Sequence, residues 1–199
     1  MDPDRSLVDA AAAGDRDAFG ALVSRYQSRI VNLARTLTSE AAEADDLAQE
    51  TFVRAYKSIR RFRGDSAFRT WLYRVAVNVI HSYLASRSKR WRWFGGTGDE
   101  RDAEMAKVPE SRGGRAIEDA VVRRDLIDRA LASLPPDMRI AVTLRDMHGL
   151  EYAEIAAALK IPIGTVESRI FRARQRLRPL LAPLVGAGGA GRAGGAGGL

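Results

Sequence analysis

The chain has 199 residues, with 32 Lys and Arg against 25 Asp and Glu, a formal net charge of +7 and a pI of about 10.2. That length allows one or two domains with a real core, and the basic balance points to nucleic acid or another polyanion as a partner. The absence of cysteine excludes disulfides and thiolate metal sites. His81 and His148 lie too far apart in sequence to make a metal site, and no apolar run of about 18 residues predicts membrane insertion. The polar, acidic start MDPDRSLVDA is not a signal peptide, so a cytoplasmic protein is expected.

The first segment reads as helical throughout. Asp4 to Ala13 predicts a short helix stopped by Gly14, and Asp15 is placed to cap the next. There Phe19, Leu22, Val23, Tyr26, Ile30, Leu33 and Leu37 keep a helical period to about Thr36. A third helix is expected over about 41–60, with Leu47, Ala48, Thr51, Phe52, Ala55, Tyr56 and Ile59 on its buried side. Its outer side carries Asp46, Gln49, Glu50 and Arg54, an acidic patch in a basic protein and a candidate protein-docking face. A solvated face with one Glu50–Arg54 pair, worth only ~0.3–0.5 kcal/mol, explains the spacing equally well.

The stretch RRFRGDS, Arg60 to Ser66, reads as a loop, with Ser66 placed to cap the following helix. Phe62 sits among Arg60, Arg61 and Arg63. An aromatic interleaved with cations can hold unstacked bases, or the ring can simply tuck the loop onto the core. The next helix is expected from Phe68 to about Arg87. It has one apolar face of Phe68, Trp71, Leu72, Val75, Ala76, Val79 and Tyr83. A second row, Tyr73, Val77, Ile80 and Leu84, implies a central helix or one partly covered by a partner. A polar strip of Thr70, Arg74, Asn78 and His81 runs between them. Asn78 and Arg74 are spaced to face nucleic acid, and Asn78 fits a satisfied interior amide as well.

Residues 88–116 mix charges, glycines and Pro109 without a period and read as a linker. Helical pattern resumes at Ile117, stops at Leu134-Pro135-Pro136 and restarts with Ile140, Leu144 and Met147 before Gly149. Tyr152, Ile155, Ala156 and Leu159 then form one helical face, Pro162 and Gly164 break it, and Thr165 is placed to cap a second helix. In that helix Val166, Ile170, Ala173 and Leu177 make a buried stripe. Ser168, Phe171, Arg172 and Gln175 lie opposite, flanked by Arg169 and Arg176. Two short helices around a glycine-containing turn form the helix-turn-helix pattern. An arginine-rich open face suits a major groove, where Arg reads guanine, Glu accepts from cytosine and an apolar ring meets a thymine methyl. A solvated helix capping a bundle is the bland alternative. Beyond Pro183 the tail, residues 184–199, is glycine- and alanine-rich.

Three stretches together resemble the extracytoplasmic-function sigma factors, short members of the bacterial sigma-seventy family. They are DDLAQETFVRAY from Asp45, FRGDSAFRTWLYRVAVN from Phe62, and the run from Leu134-Pro135 through Glu154-Ile155-Ala156 and Gly164-Thr165-Val166-Glu167-Ser168-Arg169 to Arg176. The resemblance implies an all-α protein of two small helical domains. Residues 1–87 would bind core RNA polymerase and read and melt the minus-ten element. Residues 117–183 would read the minus-thirty-five element by helix-turn-helix. It further implies that Asp46, Gln49, Glu50 and Arg54 meet the clamp helices of the polymerase large subunit, with the flap as a second contact. Arg61, Phe62, Arg63, Arg74, Asn78 and His81 would hold the unpaired strand.

In the second domain, Glu167, Ser168, Arg169, Phe171 and Arg172 would meet the duplex, and Tyr152, Thr165 and Arg176 would position it by phosphate contact. Glu167 departs from the Lys or Arg that many relatives carry there. Promoter DNA and an anti-sigma protein are the further implied partners. Without a paired acid and base, nucleophile triad, phosphate loop or metal cluster, no catalytic residue and no cofactor are expected. A conventional helix-turn-helix regulator remains the alternative, although it leaves the first domain unexplained.

Overall fold

The computed structural model describes residues 2–93 and 115–186. Within them eight α-helices follow in order: α1 Arg5–Ala13, α2 Arg16–Thr38, α3 Ala41–Ser58, α4 Phe68–Trp93, α5 Arg115–Ala132, α6 Pro136–Val142, α7 Tyr152–Leu159 and α8 Ile163–Gly186. A 3-10 turn, Ile59–Arg61, follows α3, and a π-helical turn, Thr143–Met147, extends α6. Among the described residues the protein is all-helical, as the sequence pattern requires.

Local chemistry sets most of the helix ends. Gly14 closes α1 in the left-handed region at φ 107°, where the missing Cβ removes the steric penalty. The Asp15 carboxylate accepts from the backbone N–H groups of Asp17 and Ala18, at 2.9 and 3.1 Å, and so caps α2. Two expected caps are replaced. Ser66 does not cap α4; instead Asp2 reaches across the fold and accepts from the Phe68 N–H at 2.7 Å. Thr165 lies inside α8, because the Pro162 carbonyl already accepts from the N–H groups of Thr165 and Val166 and starts the helix earlier. Helix α4 runs past the expected end at Arg87 to Trp93, and α8 runs past Pro183 to Gly186. Leu181 packs against buried residues and holds the last turns of α8 in place. The remaining parts of the expected linker and tail, 94–114 and 187–199, lie outside the described residues.

The bundle of α2, α3 and α4 buries Leu22, Ile30, Leu33, Phe68 and Leu72 almost completely. The sequence places Tyr56 on the buried side of α3, but it is 43% exposed at the rim, its ring edge-on to Phe19 at 5.0 Å. A small satellite core of Ala130, Leu131, Leu134, Val142, Ala173 and Leu177 ties α5, α6 and α8 together. The principal core does not stop at α4. It continues through Ile140, Leu144, Leu150, Ile155, Val166 and Ile170. The second apolar row of α4, with Tyr73, Val77 and Ile80 all buried, is therefore covered by the carboxy-terminal half of the same chain.

The acidic amino terminus also has a structural role that the sequence pattern hides. Asp4 is 1% exposed, and its carboxylate accepts from the Tyr26 hydroxyl and pairs with Arg25. Burial and this carboxylate together push the Tyr26 phenol well above its ordinary range. Asp4→Ala leaves the buried Tyr26 hydroxyl without its acceptor. It should lower stability by about 1–3 kcal/mol, read as a shift of the urea midpoint at unchanged m-value.

Candidate polymerase and nucleic-acid interfaces

On α3, Leu47, Ala48, Thr51, Phe52 and Ala55 face the core, which turns Asp46, Gln49, Glu50 and Arg54 to solvent. Glu50 and Arg54 form an exposed ion pair at 2.6 Å. Beside them Val53 and Tyr56 are 39% and 43% exposed, so the face combines charge with unpartnered apolar surface. That mixture marks protein interfaces more than plain solvated helix faces.

After the Ile59–Arg61 turn, Phe62 leads into the loop. It is half-buried, with its ring 5.2 Å from Trp71 and 6.2 Å from Phe68. The two roles open for Phe62 in the sequence coexist here. One side packs on an aromatic cluster, and the other meets a cavity of about 350 Å³ that Arg61, Arg63, Trp71 and Arg74 also line. Arg61 and Arg63 are exposed and Arg74 is half-buried. Asn78 and His81, one and two turns further along α4, are exposed; Asn78 is not an interior amide. These two line a second cavity of about 260 Å³. The loop and one strip of α4 thus bring all six residues chosen in the sequence to a single side of the helix.

In the carboxy-terminal half the stripe Val166, Ile170, Ala173 and Leu177 is buried, and this fixes the rotation of α8. Glu167, Phe171, Arg172, Gln175 and Arg176 are exposed, and Ser168 and Thr165 are half-buried. Phe171 is 63% exposed, a large uncompensated apolar area for a side chain with only structural work to do. The arginines divide into two kinds. Arg169 pairs with Asp137 at 2.6 Å and Arg174 with Asp146 at 2.5 and 3.1 Å, and both brace α8 against the α6 segment. Arg172 and Arg176 have no ion-pair partner among the described residues and stand free for a polyanion. Tyr152 is half-buried beneath the Arg145 guanidinium, 5.0 Å from its ring centre.

Contacts between the two halves escaped the sequence reading. Glu154 completes a capping box with Glu151 at the start of α7. The same carboxylate accepts from the Thr70 hydroxyl at 2.7 Å and the Arg69 guanidinium at 2.9 Å. Burial alone would raise its pKa, but the Glu151 N–H, Thr70 and Arg69 outweigh burial and hold it below the usual value. His148 packs on Tyr73, with Nδ1 2.9 Å from the phenol oxygen and Nε2 buried without a partner. Burial, with a smaller contribution from Arg29, lowers His148 to about 4. The E-x-x-E spacing of Glu151 and Glu154 was legible as a cap, but its second use was not.

A helical bundle with an exposed charged face, an arginine-rimmed aromatic cavity and a helix-turn-helix with an open basic face defines a class of DNA-directed, protein-docking molecules. Comparison with known proteins identifies the class. The family model for Sigma-70 region 2 matches residues 22–90, and that for Sigma-70, region 4 matches residues 124–177. The chain is 39% identical over 194 residues to an RNA polymerase sigma-H factor of Pseudomonas aeruginosa, covering 93% of this chain and 97% of that one. It is 37% identical over 191 residues to the ECF RNA polymerase sigma-E factor of Escherichia coli, covering 92% and 96%. The chain belongs to the ECF sigma factors of the sigma-70 family. Among solved structures it is similar to CnrH in complex with the cytosolic domain of CnrY, with TM-score 0.66, 29% identity and coverage of 90% and 97%. It is also similar to the sigma factor RpoE in complex with the anti-sigma factor NepR from Bartonella quintana, with TM-score 0.67, 28% identity and coverage of 82% and 96%. Among the described residues no helix is long and apolar enough to cross a membrane.

Proposed function

We infer that this chain is the promoter-specificity subunit of a bacterial RNA polymerase, acting in the cytoplasm under the control of an anti-sigma protein. What carries the reading is similarity over nearly the full length to sigma factors, with both family regions present in order. The protein performs no bond chemistry. Residues 1–87 serve as one functional unit and 117–183 as the other, joined by the intervening segment. The α3 face of Asp46, Gln49, Glu50 and Arg54 docks on the polymerase clamp helices. The loop with Arg61, Phe62 and Arg63, together with Arg74, Asn78 and His81, holds flipped bases of the non-template strand.

On α8, Glu167, Ser168, Phe171 and Arg172 read the upstream duplex. Thr165, Arg169, Arg176 and Tyr152 position its phosphates. Melting is favoured because each base transferred onto an aromatic ring recovers ~1–3 kcal/mol of stacking. Anti-sigma control is supported by the anti-sigma complex among the similar structures.

The separating experiment is a mobility shift of promoter duplex with and without core polymerase. A sigma factor needs the polymerase for a specific, heparin-resistant complex. A specific complex of equal affinity formed by the protein alone would instead establish a free-standing helix-turn-helix regulator.

A further inference from the structure

The two cavities on the strand-reading side of α4 share a wall. The cavity of about 350 Å³ around Phe62 is closed by Ala157 and Ala158, and the one of about 260 Å³ around Asn78 and His81 by Ala158, Leu159 and Lys160. All five closing residues belong to the end of α7 or the turn after it. A strand lying along Arg74 and Asn78 would have to cross the space that α7 fills. The attachment beside these cavities is polar and specific: Thr70 and Arg69 donate to Glu154, and Tyr73 meets His148. We propose that α7 is an intramolecular mask, latched to α4 through Glu154 and His148, which covers the strand-reading surface in the free protein and moves away before unstacked bases enter.

The proposal rests on the assignment of that surface to the unpaired strand. It adds a cause for silence in the free protein that requires no second molecule. Polymerase engagement of the two halves at separate sites is the natural event that opens it, because binding to the open form draws the equilibrium toward that form. The latch is also proton-sensitive. His148 faces Tyr73 on α4 and Arg29 on α2, with Arg69 of α4 close by and paired to Glu154 of α7. None of the groups facing it supplies a carboxylate to a charged imidazole directly. Its pKa is lowered in the closed form and returns to about 6.5 on release, so the open form binds the proton preferentially. The histidine contribution to closure is intact above that value and lost between about pH 6.5 and pH 4. Glu154, also lowered, acts in the same direction at lower pH.

The test uses the full chain carrying Thr70→Val and Tyr73→Phe. These shape-conserving changes remove two latch hydrogen bonds and touch none of the strand-reading residues. The chain has no cysteine, so Ser24→Cys and Ser133→Cys, both exposed, place one dye on each half for energy transfer. Binding is read with a short fluorescein-labelled DNA single strand of mixed sequence, without polymerase. The latch variant should show reduced transfer and bind the strand at least about fivefold more tightly than the parent, the gain expected when a minor open state becomes populated. Lowering the parent to about pH 5.5 should disfavour closure about tenfold and reduce transfer, and His148→Gln should abolish that response.

Unchanged transfer in the latch variant overturns the latch. Reduced transfer with no gain in strand binding overturns the mask and leaves the strand-reading assignment intact. If the gain survives Phe62→Ala in the opened variant, the strand-reading surface itself is misassigned, and the mask falls with it.

Discussion

Phe62→Ala should leave formation of the closed promoter complex nearly intact while strongly reducing the open complex, seen as lower permanganate reactivity of unpaired thymines. Arg172→Ala should reduce the closed complex itself. Arg172 stands on the open face of α8 without an ion-pair partner among the described residues, so it meets DNA while it is still duplex. Loss of one base-reading contact costs roughly 1–3 kcal/mol of discrimination. Phe62 presents part of its ring to a cavity rimmed by Arg61, Arg63 and Arg74, so it acts once a base is unstacked, at a similar ~1–3 kcal/mol.

The ring also packs on Phe68 and Trp71, so alanine costs fold stability as well as stacking. Phe62→Leu separates the two, because leucine restores most of the apolar contact without an aromatic face. It should recover the stability of the wild type and not its open complex. A pre-melted bubble should partly rescue Phe62→Ala and not fully rescue Arg172→Ala. Equal loss of closed and open complexes in both alanine variants would make Phe62 a packing residue only.

Glu50→Lys should keep the fold and weaken core-polymerase binding about tenfold or more. The Glu50–Arg54 pair is exposed on both sides, so losing it costs only ~0.3–0.5 kcal/mol of helix stability. Reversing a charge in the middle of a docking face adds like-charge repulsion, which reaches several kcal/mol when the pair is desolvated. Co-purification with core polymerase at moderate salt, beside an unchanged thermal midpoint, reads the two effects separately. Wild-type yield of the complex would remove α3 from the docking face.

Much of the site was legible because its residues sit on helices whose apolar stripes fix their rotation. Val166, Ile170, Ala173 and Leu177 determine which way α8 turns, and Phe171 and Arg172 follow. Leu47, Phe52 and Ala55 do the same for α3 and its acidic face. The sequence reading failed where partners come from far along the chain. Asp2 capping α4, Asp4 anchoring Tyr26, and Glu154 reaching Thr70 are long-range contacts with no local period to betray them. The second apolar row of α4 was visible, but periodicity says only that something covers Tyr73, Val77 and Ile80. Identifying the cover as the turn and helix around His148 and Ile155 required the tertiary structure. Helix ends were misplaced for a related reason. Proline and serine rules describe isolated helices, whereas α8 is held past Pro183 by the packing of Leu181.

The central claim is that this chain turns core polymerase into a promoter-selective enzyme by reading two separated elements. Its most direct test is run-off transcription with purified bacterial core polymerase on genomic promoter fragments, with and without the protein. The expected result is discrete transcripts that require the protein and vanish when either the upstream or the minus-ten element is scrambled. Transcripts that appear equally without it, or that persist when both elements are scrambled, would contradict the account.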